Sequence, residues 1–77
     1  MQADEVLNAG ETHCGELIML IFQRMKTLDT GKVLQVAAYD PGAAVDIAAW
    51  CRMTHNALLH VEPCGSITRF FIRKGES

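Results

Sequence analysis

The sequence predicts an α+β fold: a two-layer α/β sandwich in which a four-stranded mixed sheet carries two helices on one face. Three observations predict it. Apolar residues recur at helical spacing over 15–29 and again over 44–51. Short apolar runs of strand length separate and follow these stretches, at 5–9, 33–38 and 57–62. A last run at 67–73 follows the third across a turn, which gives the order β-α-β-α-β-β. Right-handed crossovers make the first three strands parallel, and the hairpin reverses the fourth. The length of 77 residues fits one domain over 1–77 with flexible ends at 1–4 and 75–77. With 49% hydrophobic and 21% charged residues, the composition favours a packed core over disorder.

The elements follow in order. Glu5-Val6-Leu7-Asn8-Ala9 is a short apolar run with a polar break, closed by Gly10, and reads as an edge strand. From Gly15 to about Asp29, Ile18, Ile21, Met25 and Leu28 form a helical stripe with Leu17 and Leu20 beside it. Gln23, Arg24 and Lys26 mark the outer face. Gly31 suits a left-handed helix end, and Lys26 is placed to meet the negative end of the dipole. Val33 to Ala38 lacks strict alternation, as a central strand covered on at least one face would. Asp40 can cap a second helix with Pro41 at its first position. Ala44, Ile47, Ala48 and Cys51 then make a narrow stripe of small residues that allows close approach to the sheet, and the helix ends around 54–56. In the third strand, Leu59 and Val61 share one face, and His60 and Glu62 the other. Pro63-Cys64-Gly65-Ser66 reads as the turn before the last strand.

Composition also excludes function classes. Seven basic against nine acidic residues give a formal charge of −2, which counts against a surface built for nucleic-acid phosphates. Arg69, Arg73 and Lys74 could still form a local basic patch, although a solvated strand face is the simpler account. No apolar run approaches the roughly 20 residues of a membrane span, and the first residues are acidic where a signal peptide would be basic. A cytoplasmic protein is expected. Three widely spaced cysteines fit reduced thiols better than a disulfide framework.

Chemistry is expected at Cys14, in Thr12-His13-Cys14-Gly15-Glu16-Leu17, where a strand pattern ends and a helix begins. A cysteine there faces the unpaired N–H groups of the first turn and the positive end of the helix dipole. Both favour the thiolate, which is the nucleophile. The bland alternative is a small apolar residue at a strand-helix junction. His13 could support the thiolate when protonated or act as a proton donor, or simply be solvated. Glu16 suits the helix start and could also contact a partner. Cys51 lies on the apolar stripe of the second helix, where burial is the simplest reading and a resolving disulfide with Cys14 is the alternative. Cys51 and His55 are four apart, which can chelate a metal, but without a second pair of ligands no metal site is expected. Cys64 falls in an exposed turn, and Trp50 is a surface or packing aromatic.

Over nearly its whole length the chain resembles the TusA/SirA family of small sulfur-carrier proteins. The family's Leu-Asp, seven residues before its cysteine, has its counterpart in Leu7-Asn8 ahead of Cys14, and Ile18-Met19 also fits. Asp40-Pro41, Asp46-Ile47 and Trp50-Cys51 stand in register with the family's second half, as do Gly65 and Phe70-Phe71-Ile72-Arg73-Lys74-Gly75 with its ending. The departures fall in the Cys-Pro-x-Pro signature, where Gly15 and Leu17 replace both prolines; Gly15 should loosen the first turn. The resemblance implies that Cys14 accepts a sulfane sulfur from a donor such as a cysteine desulfurase or rhodanese, carries it as a persulfide without a separate cofactor, and hands it to an acceptor protein. A non-catalytic interaction or regulatory module on the same fold is the alternative that the missing prolines raise.

Overall fold

A computed structural model describes residues 2–10, 12, 14–39 and 42–75, with the Cys14 side chain left aside. Its elements are β1 (Glu5–Gly10), α1 (Cys14–Lys26), β2 (Val33–Ala38), α2 (Ala43–Thr54), β3 (Ala57–Cys64) and β4 (Ile67–Arg73). They form one four-stranded sheet in the order β1-β2-β4-β3. β1 pairs parallel with β2, and β4 pairs antiparallel with both β2 and β3. The first three strands therefore run one way and the fourth is reversed, as the crossover rule requires.

The core lies between the sheet and the helices. Leu7 and Ala9 of β1, Leu34, Val36 and Ala38 of β2, and Phe70 and Ile72 of β4 alternate onto one face. Leu17, Ile21 and Met25 of α1 and Ala43, Ile47 and Cys51 of α2 pack onto that face. In α1 the seam runs through Leu17, Ile21 and Met25, with Ile18, Leu20 and Leu28 flanking it. In α2 the expected stripe is corrected by one residue: Ala43 is buried and Ala44 is exposed. The 43-47-51 row is a straight i, i+4 ridge, and two adjacent alanines give the sequence nothing to choose between them.

The helix ends and turns are tightly bonded. α1 stops at Lys26, short of the expected 29, and Thr27 and Leu28 donate backbone N–H bonds to Arg24 and Met25 in a tighter turn. Gly31 takes the left-handed conformation (φ 90°). α2 begins at Ala43 with Gly42 at the N-cap and ends at His55, a left-handed C-cap (φ 61°), where the Asn56 N–H closes on the Cys51 carbonyl. The expected cap Asp40 and helix-start Pro41 fall outside the described residues.

β3 departs most from its sequence reading. It continues through Pro63 and Cys64, and the turn is only Gly65-Ser66, with Gly65 at φ 65°. A proline without an N–H is tolerated there because β3 is an edge strand. The register slips between Leu58 and His60, so Leu59 drops out of the alternation; Leu58 packs on the core while Leu59 is exposed. On the helix-free face, Phe71 is only 4% exposed and meets the His60 ring at 5.9 Å between centroids.

The residues read as flexible ends include two anchored ones. Asp4 exchanges bonds with Val33, its N–H donating to the Val33 carbonyl and its carboxylate accepting from the Val33 N–H, both at 2.8 Å. Gly75 donates its N–H to Asn56 Oδ1 at 3.0 Å.

Candidate functional site

Cys14 is the first residue of α1. The chain is delivered to that point by a built turn. β1 ends at Gly10, which takes φ 57° where the β1–β2 register shifts. Thr12 then folds back, donating both its N–H (3.1 Å) and its hydroxyl (2.6 Å) to the Ala9 carbonyl. Beside it, the Tyr39 N–H donates to the Gly10 carbonyl at 3.2 Å. The loops leaving β1 and β2 are thus held side by side at the C-terminal end of the parallel pair, where open α/β sheets place their functional groups. Ala38 of β2 pairs with Thr68, which brings the β3–β4 turn to that same end.

Around Cys14, the first turn of α1 leaves backbone N–H groups without helical partners. Glu16 lies in that turn and is exposed, so its carboxylate meets the positive end of the dipole from the solvent side. Gly15 is exposed, and a β-carbon built on it would meet no atom within 4 Å, so the position faces open space. Leu17 is the opposite case. It is 0% exposed and belongs to the core, so the second signature position has been given over to packing. The roles read for His13 and for the Cys14 thiol fall outside the described residues.

The other two cysteines differ sharply. Cys51 is 2% exposed, and burial pushes its thiol up to about 11, which keeps it protonated and inert at neutral pH. α1 and α2 both start at the end where β1 and β2 finish, and Cys51 lies about 12 Å along α2. Its burial and protonated thiol disfavour it as a resolving partner for Cys14. His55, its candidate co-ligand, sits in the exposed C-cap. Among the described residues no three His, Cys, Asp or Glu side chains converge to hold a metal ion.

Cys64 is exposed and lies in the strand rather than in the turn. Arg69 Nη1 donates to its Sγ at 3.2 Å and to Glu62 Oε1 at 3.3 Å, and the thiol points at the same carboxylate oxygen at 3.6 Å. It lies at the end of β3, the edge strand on the opposite side of the sheet from β1, whose C-terminal end leads to Cys14. Two members of the possible basic patch are engaged elsewhere: Arg69 is paired with Glu62, and Lys74 Nζ is bonded to the Leu28 carbonyl. That structural role of Lys74 was missed from sequence, since nothing local to residue 74 points to residue 28.

No helix among the described residues is long and apolar enough to cross a membrane. Comparison with known proteins shows a match to the family model "Sulfurtransferase TusA" over residues 5–74. Among curated relatives, the chain is 40% identical over 75 residues to the putative sulfur carrier protein YrkF of Bacillus subtilis, covering 97% of this chain and 40% of that protein. It is 36% identical to the putative sulfur carrier protein YrkI of the same organism, covering 97% of this chain and 100% of the relative. It is 32% identical to the sulfur carrier protein TusA of Pseudomonas putida (strain GB-1), over 92% of this chain and 89% of the relative. The chain thus spans well under half of YrkF but the full length of YrkI.

Proposed function

The chain belongs to the TusA family, and we propose that it is a sulfur carrier in which Cys14 takes up a sulfane sulfur as a persulfide and relays it to an acceptor protein. The observation that carries this reading is the position of Cys14 as the first residue of α1, at the loop-bearing end of the sheet. Of the other two thiols, one is buried and the other is tied into an ion-pair cluster on the far strand.

The chemistry asks little of the fold. The Cys14 thiolate attacks the outer sulfur of a donor persulfide; a new S–S bond forms at Cys14, the donor's S–S bond breaks, and the donor cysteine leaves as a thiolate. No oxidant or reductant is consumed. Unloading repeats the step with an acceptor thiolate as the nucleophile. The unpaired N–H groups of the first turn stabilise the anion in both the thiolate and the persulfide state. His13, adjacent to Cys14 in the sequence, is the candidate to supply or hold a proton, Glu16 offers a charged contact to partners, and Gly15 leaves open space at the start of α1. The cargo is itself covalent, so no separate cofactor is required. The donor is a protein of the cysteine desulfurase or rhodanese type, and the relay belongs in a reducing compartment such as the cytoplasm.

Intact-mass spectrometry after incubation with a persulfide donor tests the proposal. The wild type gains one reducible sulfur atom and Cys14→Ser gains none; equal uptake by both proteins contradicts it. Burial of Leu17 at a signature position supports a second reading, an interaction module that kept the fold without the transfer. That reading predicts no uptake by either protein and undiminished partner binding by Cys14→Ser.

A further inference from the structure

We propose that the recess between the C-terminal ends of α1 and α2 is a binding site for a small amphiphilic anion, an acidic head on a short aliphatic body. The recess holds about 440 Å³, within the range of small-ligand sites. Phe22, Met25 and Trp50 give it apolar walls, Lys26, Lys74 and His55 stand around them, and among the described residues no acidic side chain lines it. In a chain of net charge −2, the two lysines concentrate positive charge among the described residues of the lining.

The two lysines engage only neutral groups. Lys26 Nζ lies 5.1 Å from the centre of the Phe22 ring, and Lys74 Nζ donates to the Leu28 carbonyl. Among the described residues neither forms an ion pair with a carboxylate. Helix C-termini would ordinarily make this end negative. Here several of the terminal carbonyls are already bonded: Arg24 by the Thr27 hydroxyl, Trp50 by the Thr54 hydroxyl, Cys51 by the Asn56 N–H, and Leu28 by Lys74. Beside the neutral side chains of Thr54 and Asn56, the described lining offers two ammonium groups and apolar walls, which suits an anionic head on an apolar body better than either part alone.

The site lies at the opposite end of α1 from Cys14, about 20 Å along a helix of 13 residues. Occupancy leaves the sulfur end free, and the proposal stands whether or not Cys14 carries sulfur.

Trp50 is the chain's only tryptophan and lines the recess, so its fluorescence reports binding directly. The full chain is titrated with octanoate below its micelle concentration, and with 1-octanol and octyltrimethylammonium as neutral and cationic controls. Octanoate gives a saturable one-to-one change, 1-octanol binds about tenfold more weakly, and the cation produces no saturable change. Lys26→Glu, at an exposed helix position, weakens octanoate about fivefold or more, and Phe22→Ala weakens octanoate and octanol together. Cys14→Ser binds octanoate like the wild type, which separates this result from that of the sulfur-uptake experiment. No saturable change with octanoate, equal affinity for 1-octanol, or an unaltered Lys26→Glu variant each overturns the proposal. A Trp50 change that tracks protein concentration without ligand also overturns it, by making the recess a surface between copies.

Discussion

Lys74 reaches back 46 residues to donate a 2.6 Å hydrogen bond from its ammonium to the carbonyl oxygen of Leu28. The backbone beside it is fastened too, with the Lys74 N–H donating to the Lys32 carbonyl and the Gly31 N–H to the Lys74 carbonyl, each at 2.8 Å. The chain after β4 thereby clasps the α1–β2 connection. Hydrogen bonds made by charged groups contribute more than neutral ones, so Lys74→Met is expected to cost about 1–2 kcal/mol. Urea unfolding reads this directly, and a midpoint equal to that of the wild type would show the bond to be replaced by water.

Gly75 extends the clasp to α2. A β-carbon there would collide with the His55 backbone carbonyl, and the Gly75 N–H is bonded to Asn56 Oδ1. Replacing glycine by alanine at a tolerant site commonly stabilises a protein through the unfolded chain. Gly75→Ala is expected to do the reverse and destabilise by about 1 kcal/mol, because the segment must move away and release the Asn56 bond. Thermal unfolding of the variant, with amide exchange at residue 75, decides between the two signs.

The buried thiol of Cys51 sets a pH dependence. Its folded-state value of about 11 lies above its ordinary value of 9.0, so the folded protein holds a proton that the unfolded chain releases. The stability this contributes is complete below pH 9 and is lost as the pH rises toward 11, by an amount of order 2 kcal/mol. Comparing urea midpoints at pH 8 and pH 10.5 for wild type and Cys51→Ala isolates it: the alkaline loss is smaller in the variant. Equal losses in both would assign the effect to other groups.

The two signature positions of α1 should respond in opposite directions. Leu17→Ala removes a fully buried side chain and is expected to cost about 3 kcal/mol. Gly15→Pro enters open space in the first helical turn and is expected to stabilise by about 0.5 kcal/mol. Chemical denaturation of both variants checks the pair, and a destabilised Gly15→Pro would mean that the backbone at Cys14 does not accept a following proline.

Most of the architecture is legible in the sequence because it depends on period and on order. The stripe through Ile21 and Met25, the run Val33 to Ala38, the hairpin and the placement of β1 at an edge all follow from spacing and connection rules. What escapes the sequence depends on contacts between distant residues or on the choice between equivalent ones. Ala43 and Ala44 differ only in the rotation of α2. Pro63 signals a turn unless the strand is known to be an edge, and the slip at Leu59 becomes visible only once β4 fixes the register. For the candidate site, the thiol at the start of α1 is readable as a type of position, and Cys51 as a buried stripe residue. The loss of the second signature proline to the core at Leu17, and the service of Lys74 and Gly75 as a clasp, arise from packing that no local pattern encodes.

The central claim is that one sulfur atom resides on one residue, and peptide mapping of the sulfur-loaded wild type tests it most directly. Persulfides are trapped by alkylation without reductant, the protein is digested, and the peptides containing Cys14, Cys51 and Cys64 are compared. The expected result is a trapped persulfide on the Cys14 peptide alone, removable by reductant, with Cys51 unmodified and Cys64 carrying only the alkyl group. Sulfur found on Cys64 instead, or on none of the three after incubation with both cysteine desulfurase and rhodanese donors, would contradict it.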